Sequence, residues 1–168
     1  ESTGKNASER ACRALFDGEI DALGVTESQQ PILLANDAVC RLFTNPREVE
    51  ASYFRKTRIL PIMHVVALRK DLADQHPELP ENLFRVYSGA KHWAQQWRRE
   101  IPSLVEAWPN HYLYEEEKIF QTDPWEYGLE ANRHVIDKFL AYCYAQGVSA
   151  KQIAPDELFS PSTLKLVE

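Results

Sequence analysis

The 168-residue sequence lacks the features that mark several classes of protein. Its three cysteines are an odd number without CxxC or Cys/His spacing, which argues against a disulfide framework and a structural zinc site. No apolar run approaches the roughly 18 residues of a membrane-spanning helix. The net charge of −6, without a basic stripe, argues against a nucleic-acid partner. The cysteine usage favours a protein of a reducing compartment, and we expect a cytoplasmic location.

The fixed-spacing signatures GxGxxG, GxxxxGK[ST], HExxH and GxSxG are also missing. The acidic run YEEEK at 114–118 is a candidate for metal ligands. Consecutive helical residues point in different directions, however, so we interpret it as a solvated helix face and expect no metal site. The chain opens on ESTGKNASER, with neither an initiator methionine nor a signal-like segment, and we interpret it as a processed or truncated piece.

Apolar residues at three- and four-residue intervals predict a helix-rich chain. Asn-Pro at 45–46 predicts the start of a helix that runs to about Phe54. A longer helix is expected from near Pro80, another within 103–120, and Gly147 should end the last long one. The expected apolar face of the helix that begins near Pro80 consists of Leu83, Tyr87, Ala90, Ala94 and Trp97. That of the last long helix consists of Val135, Ile136, Phe139, Leu140 and Cys143.

Two segments are predicted to be strands: EIDALGV at 19–25 and the apolar part of RILPIMHVVALRK at 58–70. Both are apolar without clean alternation, which is typical of a parallel sheet covered on both faces. An α/β domain of this size should contain about four or five strands. The shortage predicts that part of the sheet is absent, leaving an incomplete sheet or an exposed apolar face.

His64 is the one polar residue in the apolar stretch 59–68 and is the first candidate for chemistry. One interpretation is a core histidine whose ring is bonded to a backbone carbonyl. The other is a histidine facing a cleft, where the imidazole can give or take a proton near neutral pH. We expect the remaining histidines at the surface; these are His76, His92, His111 and His134.

The second candidate is DPWEYGLEANR at 123–133, where Trp125 and Tyr127 precede a helix that Asn132 and Arg133 help to open. Aromatic rings beside a helix N-terminus suit a planar anionic ligand, because the rings stack and backbone N–H groups face the carboxylate. The alternative is a structural loop whose aromatic side chains fill the core.

Four segments, in this order along the chain, resemble the 4,5-dihydroxyphthalate decarboxylase family. They are GEIDAL at 18–23, YFRKTRILPIMHVVALRK at 53–70, PWEYGLEANRHVIDKFLAYCYAQGVS at 124–149 and PDELFSPST at 155–163. PIMH and YGLE-NR carry most of the specificity, whereas many binding proteins share GEIDAL. The stretch 24–44 departs from the short segment usual in the family.

The resemblance implies an α/β fold like that of type 2 periplasmic binding proteins. This chain would be the incomplete, helix-rich C-terminal portion of a two-lobed, three-layer α/β/α protein. Residues 1–57 would form the end of the second lobe and the return crossing, and residues 58–168 the C-terminal part of the first lobe with its closing helices. The implied macromolecular partner is the missing N-terminal half or a second copy of the chain.

The implied activity is that of a lyase in aromatic compound catabolism, which decarboxylates a hydroxylated aromatic dicarboxylic acid such as 4,5-dihydroxyphthalate. His64 would donate the proton, Trp125, Tyr127 and Asn132 would border the substrate, and Arg133 would hold a carboxylate. No organic cofactor is expected, because the ring hydroxyls serve as the electron sink, and a metal that chelates the catechol oxygens stays an open alternative. The main alternative is a non-enzymatic, periplasmic solute-binding protein of an ABC-type transporter for a small organic acid, and a catalytically silent scaffold is the third.

Overall fold

The computed structural model of the chain describes residues 3–25, 30–100 and 109–168. Across these ranges the regular elements are helices, and none of the residues lies in a β-strand. No helix in them is long and apolar enough to cross a membrane. The helices are α1 (Thr3–Phe16), α2 (Gln30–Leu34), α3 (Pro46–Thr57), α4 (Lys70–Gln75), α5 (Leu79–Glu100), α6 (Pro109–Phe120), α7 (Leu129–Ala145) and α8 (Pro155–Leu158), followed by a 3-10 helix (Pro161–Thr163).

The chain divides into two compact units, Glu1–Val49 and Glu50–Glu168, with the boundary inside α3. In the first unit, Cys12 of α1 and Leu33 of α2 are buried. The core of the second unit is formed mainly by α3 and α7, whose buried apolar residues are Ala51, Phe54, Leu129, Val135 and Leu140.

Phe54 joins α3 to the end of α6 in this second core. Its ring meets that of Phe120 edge to face, with 4.7 Å between the ring centroids, an arrangement that aromatic pairs favour. The guanidinium of Arg58 also lies over the ring, 4.8 Å from the Phe54 centroid. Phe54 is therefore only 8% exposed.

The predicted helix ends are confirmed where local side chains or glycine determine them. α3 begins at Pro46, and the Asn45 Oδ1 accepts a hydrogen bond from the Glu48 N–H at 3.4 Å, as expected of an N-cap. Gly147 follows α7 with φ of 74°, a backbone conformation that glycine adopts without strain. α6 lies within the range 103–120 in which a helix is predicted, and residues 103–108 of that range lie outside the described residues.

The apolar face predicted for α5 is largely wrong. Leu83 is half-buried, but Tyr87 and Trp97 are 47% and 44% exposed. The prediction failed because the inward side of this helix is mostly polar, so hydropathy alone could not identify it. The half-buried stripe of α5 is instead Phe84, Ser88, Lys91 and Gln95.

Both strand predictions are wrong. Residues 19–25 and 58–69 have no regular secondary structure, and Met63, Val65 and Val66 are 73%, 68% and 60% exposed. A strand exists only through hydrogen bonds to a neighbouring strand, and the described ranges offer no strand to pair with. The exposed apolar segment 58–69 agrees with the expectation that the chain holds an incomplete portion of a larger fold.

We predict that Val65→Ala lowers the free energy of unfolding by less than about 0.5 kcal/mol, because its side chain is already in water. Phe54→Ala should cost about 3–5 kcal/mol, because it removes a buried ring. Urea unfolding followed by circular dichroism measures both. A loss of about 2 kcal/mol or more for Val65→Ala would show that the segment is buried in solution.

Candidate functional site

The aromatic loop, residues 123–128, lies between α6 and α7. The Asp123 Oδ1 accepts the Trp125 N–H at 2.9 Å, a local bond by which an aspartate side chain mimics a backbone turn. The Trp125 side chain is 53% exposed and Tyr127 is half-buried. The loop therefore leaves the Trp125 ring accessible to a ligand.

The ammonium group of Lys91 on α5 holds this loop in place. Its Nζ donates to Asp123 Oδ2 at 2.7 Å, to the Trp125 carbonyl oxygen at 2.8 Å and to Glu168 Oε2. These acceptors match the three donors of an ammonium group. Nζ also lies 4.7 Å from the centroid of the Tyr127 ring, within cation–π range. Only 11% of the Lys91 side chain is exposed.

Hydrogen bonds outweigh the cost of burial in the Lys91 cluster, which we define as Lys91, Asp123 and Glu168. Burial opposes the charged form of Lys91, but its bonds to the two carboxylates leave its pKa raised. Burial likewise opposes the Asp123 carboxylate, but bonds from Lys91, the Trp125 N–H and Gln95 leave its pKa lowered. The Gln95 Nε2 donates to Asp123 Oδ2 at 3.1 Å. The lysine and Asp123 are therefore charged at neutral pH.

The strap, residues 161–168, packs against α5 through its 3-10 helix and reaches the aromatic loop. Glu168 Oε2 accepts the Tyr127 N–H at 3.0 Å. Gly128 has φ of 116°, and a Cβ placed there would lie 2.8 Å from the Leu166 carbonyl oxygen. Both the backbone angle and the close approach require glycine at this position.

Asn132 and His134, early in α7, contact two different segments. The Asn132 Nδ2 donates to the carbonyl oxygens of Glu126 and Gly128, at 2.8 and 2.9 Å. The His134 Nε2 lies 2.9 Å from the Arg58 carbonyl oxygen, and Arg58 has a left-handed φ of 58°. One helix turn thus fixes the end of the aromatic loop and the first residue of the segment that carries the candidate histidine.

Arg133 is paired with two carboxylates of the protein itself. Its Nη1 donates to Asp156 Oδ2 at 2.7 Å and its Nε to Glu130 Oε1 at 3.1 Å, while Nη2 donates to both residues. These bonds raise the pKa of the guanidinium, and the bond from Arg133 lowers the pKa of Asp156. The pair also joins α7 to α8.

The structure brings four of the five predicted site residues to one region, the aromatic loop and the start of α7. They are Trp125, Tyr127, Asn132 and Arg133. His64 lies in the exposed segment 58–69 with its side chain exposed. Its placement in a cleft and its role as proton donor stay predictions.

Sequence reasoning did not identify Lys91 or Glu168 as part of this region, and it treated His134 only as a surface residue. His134 is indeed exposed, but it also contacts the backbone of another segment. The spacing of Phe84, Ser88, Lys91 and Gln95 contains the helical period that could have indicated an inward-facing lysine. Glu168 has no comparable signal, because its neighbours are distant in sequence.

The acidic run of α6 pairs with basic residues of α5. Glu116 accepts from Arg98 at 3.0 Å, and Glu117 lies 3.6 Å from Arg99. In the part of the chain that the structure describes, no group of three His, Cys, Asp or Glu side chains is placed to hold a metal ion. These contacts agree with the interpretation of the run as a helix face.

Comparison with known proteins tests the family resemblance that the sequence motifs indicate. No family model matches the chain. A protein of Comamonas testosteroni described as 4,5-dihydroxyphthalate decarboxylase is 34% identical to it over 155 residues. That match covers 90% of this chain and 46% of the relative, so the chain spans about half of the relative's length. The chain is therefore similar to a protein of that description, while the binding-protein fold stays a prediction.

We predict that Gly128→Ala destabilises the protein by about 1–3 kcal/mol, because alanine is strained at this φ and its methyl group meets the Leu166 carbonyl. The matched control is Gly89→Ala on α5, where a Cβ meets nothing within 4 Å. That change should stabilise the helix by about 0.5–1 kcal/mol. Thermal unfolding of both variants measures the difference, and equal effects would show that the strap does not approach the loop this closely.

We predict that Asp156→Asn lowers the free energy of unfolding at pH 7, and that the difference from the wild type disappears in acid. Because the folded-state pKa of Asp156 is lowered, its contribution is present above the ordinary carboxyl pKa and is lost as pH falls through the folded value. Urea midpoints from about pH 7 down to about pH 3 should show the gap to the wild type closing. Asp137→Asn, at an exposed position of α7, is the control, and a gap that persists undiminished in acid would contradict the prediction.

Proposed function

We propose that the protein is a carbon–carbon lyase that decarboxylates a hydroxylated aromatic dicarboxylic acid, with 4,5-dihydroxyphthalate as the model substrate. The observation that carries the proposal is the 34% identity, over 90% of this chain, to a protein described as 4,5-dihydroxyphthalate decarboxylase. The motifs that first indicated the resemblance include the aromatic loop and the segment of His64. Both are therefore the proposed sources of substrate contacts.

Decarboxylation of an aromatic acid needs a proton at the ring carbon that bears the carboxylate. In the proposed reaction the His64 imidazolium transfers a proton to that carbon, the bond to the carboxylate breaks, and carbon dioxide leaves. The electron pair of the broken bond restores the aromatic ring. The side chain of His64 is exposed, so water can return the proton to the neutral imidazole between turnovers. The ring hydroxyls donate electron density to the protonated intermediate and so stabilise its positive charge until carbon dioxide leaves.

The aromatic loop supplies the proposed binding surface for the ring. Trp125 is 53% exposed, so a planar acid can stack on it without a rearrangement of the core. The Lys91 ammonium lies over the Tyr127 ring at 4.7 Å from its centroid, which holds that ring in place. The proposed contact of Asn132 is through its carbonyl oxygen, since its Nδ2 donates to the loop backbone.

Arg133 is the proposed partner of a substrate carboxylate, and its protein contacts set a condition on that role. Four of its five N–H groups are engaged by Asp156 and Glu130. A substrate carboxylate that binds bidentately must therefore exchange with one of these acids. Both acids are exposed, so either can turn toward water to make room for the substrate.

We predict that His64→Asn lowers kcat for 4,5-dihydroxyphthalate by at least about 100-fold, because asparagine cannot donate a proton in this way. Carbon dioxide release at saturating substrate measures the loss, and circular dichroism should show an unchanged fold. His76→Asn, at another exposed histidine, is the matched control and should retain normal turnover.

The outcomes separate the enzyme from the carrier. Near-normal turnover by His64→Asn would remove this histidine from the mechanism. A wild-type protein that binds the acid without releasing carbon dioxide, with an affinity that His64→Asn leaves unchanged, would instead establish a solute-binding protein.

A further inference from the structure

We propose that Lys91 is a positioning residue that sets where Trp125 and Tyr127 meet the substrate; the inference rests on the proposed function. Lys91 lies on α5, more than thirty residues before the loop in the sequence. Its ammonium touches the side chain of residue 123, the carbonyl of residue 125 and the ring of residue 127. Residues 123, 125 and 127 of the loop therefore all contact the same ammonium group.

The bonds of this ammonium determine the path of the loop backbone. The Trp125 carbonyl is drawn toward Nζ at 2.8 Å, while the Trp125 N–H bonds Asp123 Oδ1 at 2.9 Å. The Tyr127 N–H bonds Glu168 Oε2 at 3.0 Å, and this same oxygen accepts from Lys91. The backbone at Trp125 therefore depends on Lys91 through a direct hydrogen bond, and the backbone at Tyr127 depends on it through the Glu168 carboxylate.

Electrostatics make the lysine necessary for this arrangement. Asp123 Oδ2 and Glu168 Oε2 both bond to the same Nζ, so they lie close to each other. Their side chains are only 33% and 19% exposed, which limits screening by water. Without the ammonium, two carboxylates would face each other, and like charges this close repel strongly. The loop and the strap would then separate.

The Lys91→Met variant removes the charge but keeps a long apolar side chain. We expect hydrogen exchange of the Tyr127 amide to accelerate at least about 10-fold, since its bond to Glu168 is lost. The KM for 4,5-dihydroxyphthalate should rise about 10-fold with little change in kcat, because the rings contact the substrate in both the ground state and the transition state. Lys91→Arg, which keeps the charge, should recover most of both losses.

Lys138→Met is the matched control, because Lys138 also lies over a tyrosine ring, that of Tyr142, at 5.1 Å. It is an exposed position on α7 away from the loop in sequence, and we expect exchange at Tyr127 and the KM to stay at their wild-type values. If Lys91→Met fails to fold, Glu168→Gln provides the second test. It removes one carboxylate and should accelerate exchange at Tyr127 and raise the KM by a smaller factor.

The two readouts distinguish this inference from the proposed function. Unchanged exchange at Tyr127 in Lys91→Met, or accelerated exchange with an unchanged KM, would overturn the positioning role while leaving the decarboxylase proposal intact. If the wild type binds 4,5-dihydroxyphthalate without turnover, the decarboxylase proposal fails. The change in Kd for Lys91→Met then supports the positioning role if it is about 10-fold and overturns it if the Kd is unchanged. A wild type that neither binds nor converts the acid overturns both.

Discussion

The region of the second unit around the aromatic loop depends on a half-buried cation, the ammonium of Lys91. It joins α5 to the aromatic loop and, through Glu168, to the strap. A charged group at 11% exposure is unfavourable unless its donors are satisfied, and here each donor has an oxygen partner. The close approach of the strap to Gly128 and the packing of the 3-10 helix on α5 are consistent with the geometry that this ammonium imposes.

The start of α7 also connects several segments of the second unit, through hydrogen bonds between neutral groups and through ion pairs. Asn132, Arg133 and His134 follow each other in the chain and contact the aromatic loop, α8 and Arg58 respectively. Successive helical residues project about 100° apart, so one short stretch of helix can reach three segments on different sides. This explains how a loop and an irregular segment keep defined ends although the described residues contain no strand.

The sequence predicted the helices well where the cause is local. The Asn-Pro start of α3, the start of α5 near Pro80 and the glycine after α7 each follow from backbone preferences of the residues concerned. It failed at Met63 and Val65, whose apolar character predicted a buried strand but which are exposed. Apolar character indicates what a segment can bury, and only a neighbouring strand makes it a strand.

The candidate site likewise has residues that the sequence predicted and residues that only the structure revealed. Trp125, Tyr127, Asn132 and Arg133 could be selected from the sequence alone, because they are close in the chain and their chemistry suits an aromatic acid. The family resemblance likewise came from short motifs, and the overall similarity to one decarboxylase agrees with it. The two-lobed domain assignment and the role of His64 remain predictions.

Only the tertiary structure showed that Lys91 and Glu168 support the loop and that Arg133 forms ion pairs with Asp156 and Glu130. Lys91 and Glu168 are 77 residues apart, and no periodicity in a sequence encodes a contact between a helix and a distant strap.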